Sequence, residues 1–426
     1  MHASDPPEAL VVLGAMFAFR YPHLVPAATD RGLVTLAIDS PSSFAQKIDG
    51  GRRADPTHPL AGYAEVAWLD GSHHEQVVEQ VLDWSRDHRI RGVLAIAEEF
   101  VEVTGLIADL LGLPSPGLRA TRVCRDKHLQ RRYLPEWSPR SQLAGSTTTA
   151  SFPAIVKPVG REASSGVRRV ETPTALAEAL TTYDDGEQVL VEELVVGPEV
   201  SVESLVQHGQ IVFASVTGKV TTASGYFVEL GHSVPDTGLD SAQRQAVLAA
   251  NAAVLRRLEF ADGIAHAEYR VRADGSVALM EIAARTPGDN IGVLYHLACG
   301  TPLESALLNI VLGEPASYPA ATRYARGVYY EHGDGVLRDV VATEADVPVT
   351  WISERWAWPD IRPAQRPDEP GRQRMIVIGR DPGYVLTPIR QSADRVVMSA
   401  VDAPSAAELD DLQERTAKVI QVEVDA

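Results

Sequence analysis

The sequence predicts an α/β protein whose N-terminal part is built on a parallel sheet. Short continuous apolar runs at 9–13, 33–38 and 93–96 have the pattern of strands covered on both faces. Helical stretches at about 75–86 and 100–111 alternate with them, as βαβ units require. The composition agrees: 426 residues, 45% hydrophobic and 23% charged, is globular, with room for two to four domains at roughly 100–200 residues each.

Gly112, Pro114 and Pro116 stop the 100–111 helix, so a first α/β domain closes near residue 118. A basic helix over 121–134 then leads through a Gly/Ser/Thr stretch to a strand at 154–157. A Gly/Ser loop at 160–166, a helix near 173–181 and a strand at 188–192 complete a small lobe, 119–188. Strands at 200–206 and 211–216, the Ala-rich helix Ser241–Leu258 and a hairpin over 263–284 form a larger lobe, 189–324. From 325 to 426 the chain reads as a β-rich lobe with a proline-rich surface loop at 359–370 and a final helix at 405–418. No internal repeat is visible.

Acidic residues outnumber basic ones, 57 to 39, for a net charge of −18. General nucleic-acid binding needs phosphate neutralisation, and an anionic membrane would repel such a chain, so neither partner is expected. Cys124 and Cys299 make no disulfide framework and no zinc cluster. The N-terminus lacks a basic leader, and no apolar run approaches the roughly 18 residues of a membrane span. A soluble, cytoplasmic protein is the expectation. Gly14 follows the first strand without a second or third glycine, so a redox dinucleotide fingerprint is absent.

Three stretches carry chemistry. In the hairpin, a two-residue turn at Asp274-Gly275 would set Glu268 directly opposite Glu281. Like charges so placed repel, and a hard divalent cation between them removes the repulsion; an exposed face with incidental charges is the alternative. His266, Glu268 and Arg270 share one face, and Arg285 lies beyond Glu281 on its face. The second stretch is Lys157 with the loop that follows, where Gly160, Ser164, Ser165 and Gly166 supply free backbone N–H groups suited to phosphates. Lys127 and Lys219 are further candidate cations that, read singly, are ordinary surface lysines. The third runs from Glu192 and Glu193 through Val195 and Gly197-Pro198 to Glu199. A hinge like this offers backbone groups to a purine and a carboxylate to a ribose, although alone it is a strand–turn–strand with a salt-bridge acid.

Taken in order from Lys127 to Asn290, these pieces resemble the ATP-grasp superfamily: an N-terminal α/β domain, central ATP-grasp lobes and a C-terminal β-rich lobe. The resemblance implies ATP and Mg²⁺, one ion or two, as cofactors. It puts Lys127 and Lys157 near the phosphates, with Lys219 among the cofactor-binding residues, and Ser164, Ser165 and Gly166 in the loop that covers the phosphates. Glu192, Glu193 and Val195 fall at the adenine hinge, with Glu199 at the ribose. Glu268 and Glu281 are the implied metal ligands, and Arg285 the arginine beside the reacting phosphoryl group. The family commonly has Asn as a third ligand where this chain has Ala283.

Glu229-Leu230-Gly231-His232, with Gly263, His266 and Glu268, resembles the L-amino acid ligases in particular. That resemblance implies an ATP-dependent carboxylate–amine ligase joining two small amino-acid substrates through an acyl phosphate. Glu229 and His232 would bind the substrate ammonium and carboxyl or relay a proton, and Gly288 and Asp289 would line the side-chain pocket. A homodimer is compatible with it. An unpaired Asp289 favours a small-polar or basic first amino acid; as a helix cap it would carry no such preference. A carboxylase-type or nucleotide-pathway ATP-grasp ligase, or a non-catalytic ATP-binding protein, are the rival readings.

Overall fold

The apolar runs of the N-terminal part become the parallel strands β1 (Glu8–Leu13), β2 (Val34–Asp39) and β4 (Arg89–Ala95), joined at one edge by β3 (Tyr63–Trp68) in the order β3-β2-β1-β4. Residues 9–13 of β1 are wholly buried, as strands covered by helices on both faces must be. The structure is a computed structural model and describes residues 5–145, 150–223, 225–343 and 345–425. Most of the expected Gly/Ser/Thr stretch before the 154–157 strand lies outside the described residues.

The small lobe is an antiparallel sheet of β5 (Ser141–Leu143), β6 (Ala154–Pro158), β7 (Arg168–Val170) and β8 (Val189–Glu193), in the order β5-β8-β6-β7. The expected basic helix is in fact two, Leu118–Cys124 and Lys127–Tyr133. The Asp126 side chain accepts a hydrogen bond from the Leu129 N–H and so starts the second helix afresh.

The large sheet has nine strands, and the site is laid out on it. It comprises β9 (Glu199–Gln207), β10 (Gln210–Thr221), β11 (Glu229–Val234), β12 (Gly263–Val271), β13 (Val277–Ala283) and β14 (Tyr324–Tyr329), with three strands from further along the chain. These are β16 (Val349–Trp351), β17 (Arg372–Ile378) and β19 (Val397–Ala403), which follow β15 (Gly335–Ala342) and flank β18 (Val385–Leu386). The order is β13-β12-β9-β10-β11-β14-β19-β17-β16, so most C-terminal strands extend the central sheet. Only β18, β15 and β20 (Ile420–Asp425) form a sheet apart.

One hydrophobic core runs from Leu10 and Phe19 in the first domain through the helices Ile291–Cys299 and Leu303–Val311 to Met375 and Met398 near the C-terminus. Burial of this continuous apolar surface, at roughly 25 cal/mol per Å², ties the first and last parts of the chain to the central sheet. Among the described residues no single helix is long and apolar enough to cross a membrane.

Candidate active site

A cavity of about 670 Å³ opens between the small lobe, the nine-stranded sheet, the first domain and the C-terminal strands. Its size is that of a small-molecule site. Most of the candidate residues read from the sequence line it.

The hairpin brings Glu268 and Glu281 face to face, as expected, but not by the expected turn. Near the turn the pairs are Tyr269 with Leu279, Arg270 with Ala278 and Val271 with Val277, which leaves a three-residue loop, 273–275, between Arg272 and Ser276. A bulge next to Tyr269 restores the Glu268–Glu281 pairing. The carboxylates are also not left to repel one another. Lys219 Nζ lies 2.5 Å from Glu268, and Lys127 Nζ lies 2.9 Å from Glu281.

Lys219, with its side chain 1% exposed, also contacts Glu199 at 3.2 Å and Glu229 at 3.3 Å. Burial disfavours its charge, but Glu268, Glu229 and Glu199 outweigh this and raise it well above the usual lysine range. Behind Glu268 stands His266, 3.3 Å away through Nε2, whose Nδ1 meets Glu203 at 2.7 Å. Burial would lower His266, but the hydrogen bonds to Glu203 and Glu268 prevail and raise it to about 9.

Lys157 does not stand free toward the cavity. It pairs with Glu192 at 2.7 Å, and Arg131 reaches the same carboxylate at 2.5 Å, all three nearly inaccessible. Burial alone would raise Glu192, but Arg131 and Lys157 outweigh it and hold the carboxyl at about 2. The hinge can therefore offer backbone groups, but the Glu192 side chain is committed to structure. Glu193 is held by Arg140 and Arg272, and the Val195 carbonyl accepts from Arg270. Gly197 is required here: at φ 149° its backbone passes so close to Val271 that a Cβ would lie 1.8 Å from the Val271 carbonyl oxygen. Glu199, the expected ribose acid, pairs with Arg270 at 2.5 Å as well as with Lys219.

In the loop over the cavity, Ala163, Ser164 and Gly166 all adopt positive φ. The Ser164 hydroxyl donates to the Phe227 carbonyl, and Ser165 also lines the cavity. Arg285 is anchored 2.6 Å from Glu98, a residue of the first domain with its side chain 3% exposed. Glu229 accepts from the Ser392 hydroxyl, and burial raises its carboxyl. His232 is buried, pushed down to about 4 by that burial, and its Nδ1 has no hydrogen-bond partner among the described residues.

Gly288 and Asp289 border the same end. Asp289 neither caps the following helix, whose N-cap is Asn290 without a side-chain bond, nor stands unpaired. Arg395 grips both its oxygens at 2.5 and 3.0 Å, and outweighs burial to hold it well below the usual carboxylate range. The premise for a small-polar or basic first amino acid, a carboxylate in search of a cation, is therefore removed.

Residues 150–293 match the sequence model of the ATP-grasp domain. The chain carries an ATP-grasp domain. Among curated proteins, an ATP-grasp enzyme, fsqD, of Aspergillus fumigatus is 27% identical over 296 residues, 59% of this chain and 51% of its own length. A D-alanine–D-alanine ligase of Chlorobium limicola is 28% identical over 257 residues, 51% of this chain and 67% of the relative. The chain thus spans about half to two thirds of these relatives. In fold it is similar to the L-amino acid ligase of Bacillus licheniformis, with a TM-score of 0.77 at 18% identity over 99% of this chain and 100% of that one.

Lys157, Lys219, the hinge and the facing glutamates lie within the matched residues, and Lys127 lies before them. Glu98, Arg131, Glu203, Ser392 and Arg395 were not singled out from the sequence. Glu98 and Arg395 lie in other parts of the chain with no motif around them. Arg131 sits four residues after Lys127, on the same helical face, and that spacing could have been used.

Proposed function

We propose that the chain is an ATP-dependent carboxylate–amine ligase that joins two amino-acid-type substrates and releases ADP and phosphate. The observation that carries the reading is one cavity in which two facing carboxylates, each held by a lysine, adjoin Arg285 and extend to Glu229, His232 and Asp289. The ATP-grasp domain match and the activities of the relatives support it.

Glu268 and Glu281 fit a hard divalent cation such as Mg²⁺. Among the described residues no third His, Cys, Asp or Glu completes a cluster, and Ala283 supplies no donor, so phosphate and water oxygens would complete the shell. When bound, such an ion offsets charge on the transferring phosphoryl group. Lys127 and Lys219 have partners they can exchange: as triphosphate oxygens arrive, the ammonium groups turn to them and the glutamates are released. Lys157, fixed by Glu192, presents a charge at a constant position.

The substrate carboxylate attacks the γ-phosphorus, giving an acyl phosphate and ADP. The second substrate, as its neutral amine after losing a proton to water, then attacks the acyl carbon; the tetrahedral oxyanion collapses, phosphate leaves, and the remaining amine proton passes to the departing phosphate. Arg285, fixed by Glu98, is the donor for that oxyanion. Glu229 holds an ammonium group. His232 is a weak base with its pKa near 4, which favours hydrogen bonding to a substrate carboxyl over proton transfer.

The test is phosphate release over a matrix of amino-acid pairs, with mass spectrometry of the products. A ligase forms a condensation product in the pairs that release phosphate. Glu281→Gln is expected to lower release by about 100-fold or more while nucleotide binding persists. Near-normal turnover in that variant would remove Glu281 from the reaction.

A further inference from the structure

Away from the lysines and glutamates, the cavity continues into an aromatic recess. Phe17 and Phe19 come from the turn Ala15–Arg20, Phe44 from the helix Ser43–Ala54, and Ile352 and Trp358 from the C-terminal part. The rings brace one another edge-on or tilted, with centroids 5.8 Å apart for Phe17–Phe44, 6.2 Å for Phe19–Phe44 and 5.8 Å for Phe19–Trp358. Such packing makes a rigid apolar wall with ring edges and faces available to a guest. Gly51 lets the walls close up: a Cβ there would lie 2.8 Å from the Arg355 carbonyl oxygen.

Arg20 stands at this recess. Its guanidinium lies 5.4 Å from the Phe17 ring centre and 5.5 Å from that of Phe19. Stacking over ring faces leaves the N–H edge of a guanidinium available, the edge that forks a carboxylate. Among the described residues Arg20 makes no ion pair, whereas Arg161, Arg270, Arg285 and Arg395 of the same cavity each hold a carboxylate. Arg380 is engaged with the Gly379 and Ala393 carbonyls. Arg20 is close enough to Asp289 and Tyr329 to act on both electrostatically, so the recess adjoins the substrate end of the cavity.

We propose that this recess selects an aromatic or large aliphatic amino acid as the amine-donating substrate. Its side chain lies among Phe17, Phe44 and Trp358, and Arg20 holds its carboxylate. That carboxylate survives the reaction, because a carboxylate forked by Arg20 is not presented to the γ-phosphoryl group beside Glu268 and Glu281. The inference rests on the ligase reading and adds a substrate class to it.

Calorimetric titration of the full chain, with a non-hydrolysable ATP analogue present, tests it using L-phenylalanine, L-lysine and L-phenylalaninamide. L-phenylalanine is expected to bind at least about tenfold more tightly than L-lysine, and its amide about tenfold more weakly than the acid. Arg20→Gln should abolish the difference between acid and amide. Phe44→Ala should weaken L-phenylalanine and leave nucleotide binding as it was. Equal binding of L-lysine and L-phenylalanine, or an Arg20→Gln protein that binds L-phenylalanine like the wild type, would overturn the proposal. Phosphate release measured in parallel separates the two readings. Turnover confined to lysine- or serine-like amine donors overturns the recess and leaves the ligase. The expected binding pattern with no phosphate release from any amino-acid pair overturns the ligase and leaves the recess.

Discussion

Glu192 shows how one residue can satisfy a motif and still do something else. Its position marks the hinge, yet its side chain closes a buried triad with Arg131 and Lys157. Removing one member of such a group leaves a charge without its partner in low dielectric, at a cost of about 3–5 kcal/mol. Arg131→Ala is therefore expected to lose stability on that scale in urea unfolding at pH 7. The pH dependence follows from the sign of the shift. The folded carboxyl at about 2 lies below its ordinary 4.5, so the triad's contribution is present above pH 4.5 and is lost as pH falls toward 2. The difference between wild type and variant should narrow over that window; a constant difference would show that Arg131 acts by packing alone. Lys157 and Glu192 were legible as candidates because they sit at strand ends beside a glycine loop and a hinge. Their pairing was not, since it spans two strands and a helix that only tertiary structure brings together.

The hairpin that pairs Glu268 with Glu281 is legible at the level of elements, for a partly wrong reason. Asp274-Gly275 signals a hairpin but not its loop length, and the bulge beside Tyr269 cancels the extra loop residue before the glutamates are reached. Bulges have no local signal here, because Leu279, Met280 and Glu281 alternate no differently from an unbulged strand. The helix Ser43–Ala54 escaped detection because Gly50 and Gly51 lie inside it. The break at Asp126 was written in the sequence as an N-cap residue and was hidden by the basic residues on either side. That break makes Lys127 the first residue of its helix, where its Nζ meets Glu281 and the Arg161 carbonyl. Asp126→Ala is expected to cost about 1 kcal/mol of stability and to raise the KM for ATP more than it lowers kcat. Thermal unfolding with steady-state kinetics checks both; a change in kcat alone would mean that Lys127 keeps its place without the cap.

At the scale of the whole molecule, the site belongs to no single lobe. Arg285 is carried past the end of β13 but is fixed by Glu98 of the first domain, and Asp289 is fixed by Arg395 just before β19. A continuous hydrophobic core runs through these same parts of the chain. Net charge and composition could not show this convergence, which needs contacts between residues far apart in the chain. Glu98→Ala leaves the Arg285 guanidinium without its carboxylate. Turnover is expected to fall with nucleotide affinity little changed, and unfolding should cost about 3 kcal/mol less. Unchanged turnover in a destabilised Glu98→Ala protein would make the pair a domain tie only.

In the proposed reaction a substrate carboxylate takes the γ-phosphoryl group of ATP before the amine attacks. An amino acid labelled with ¹⁸O in its carboxylate tests this in one turnover assay, read by ³¹P NMR of the products. The expected products are ADP and inorganic phosphate carrying one ¹⁸O from the acyl donor. Unlabelled phosphate, or AMP with pyrophosphate, would contradict it.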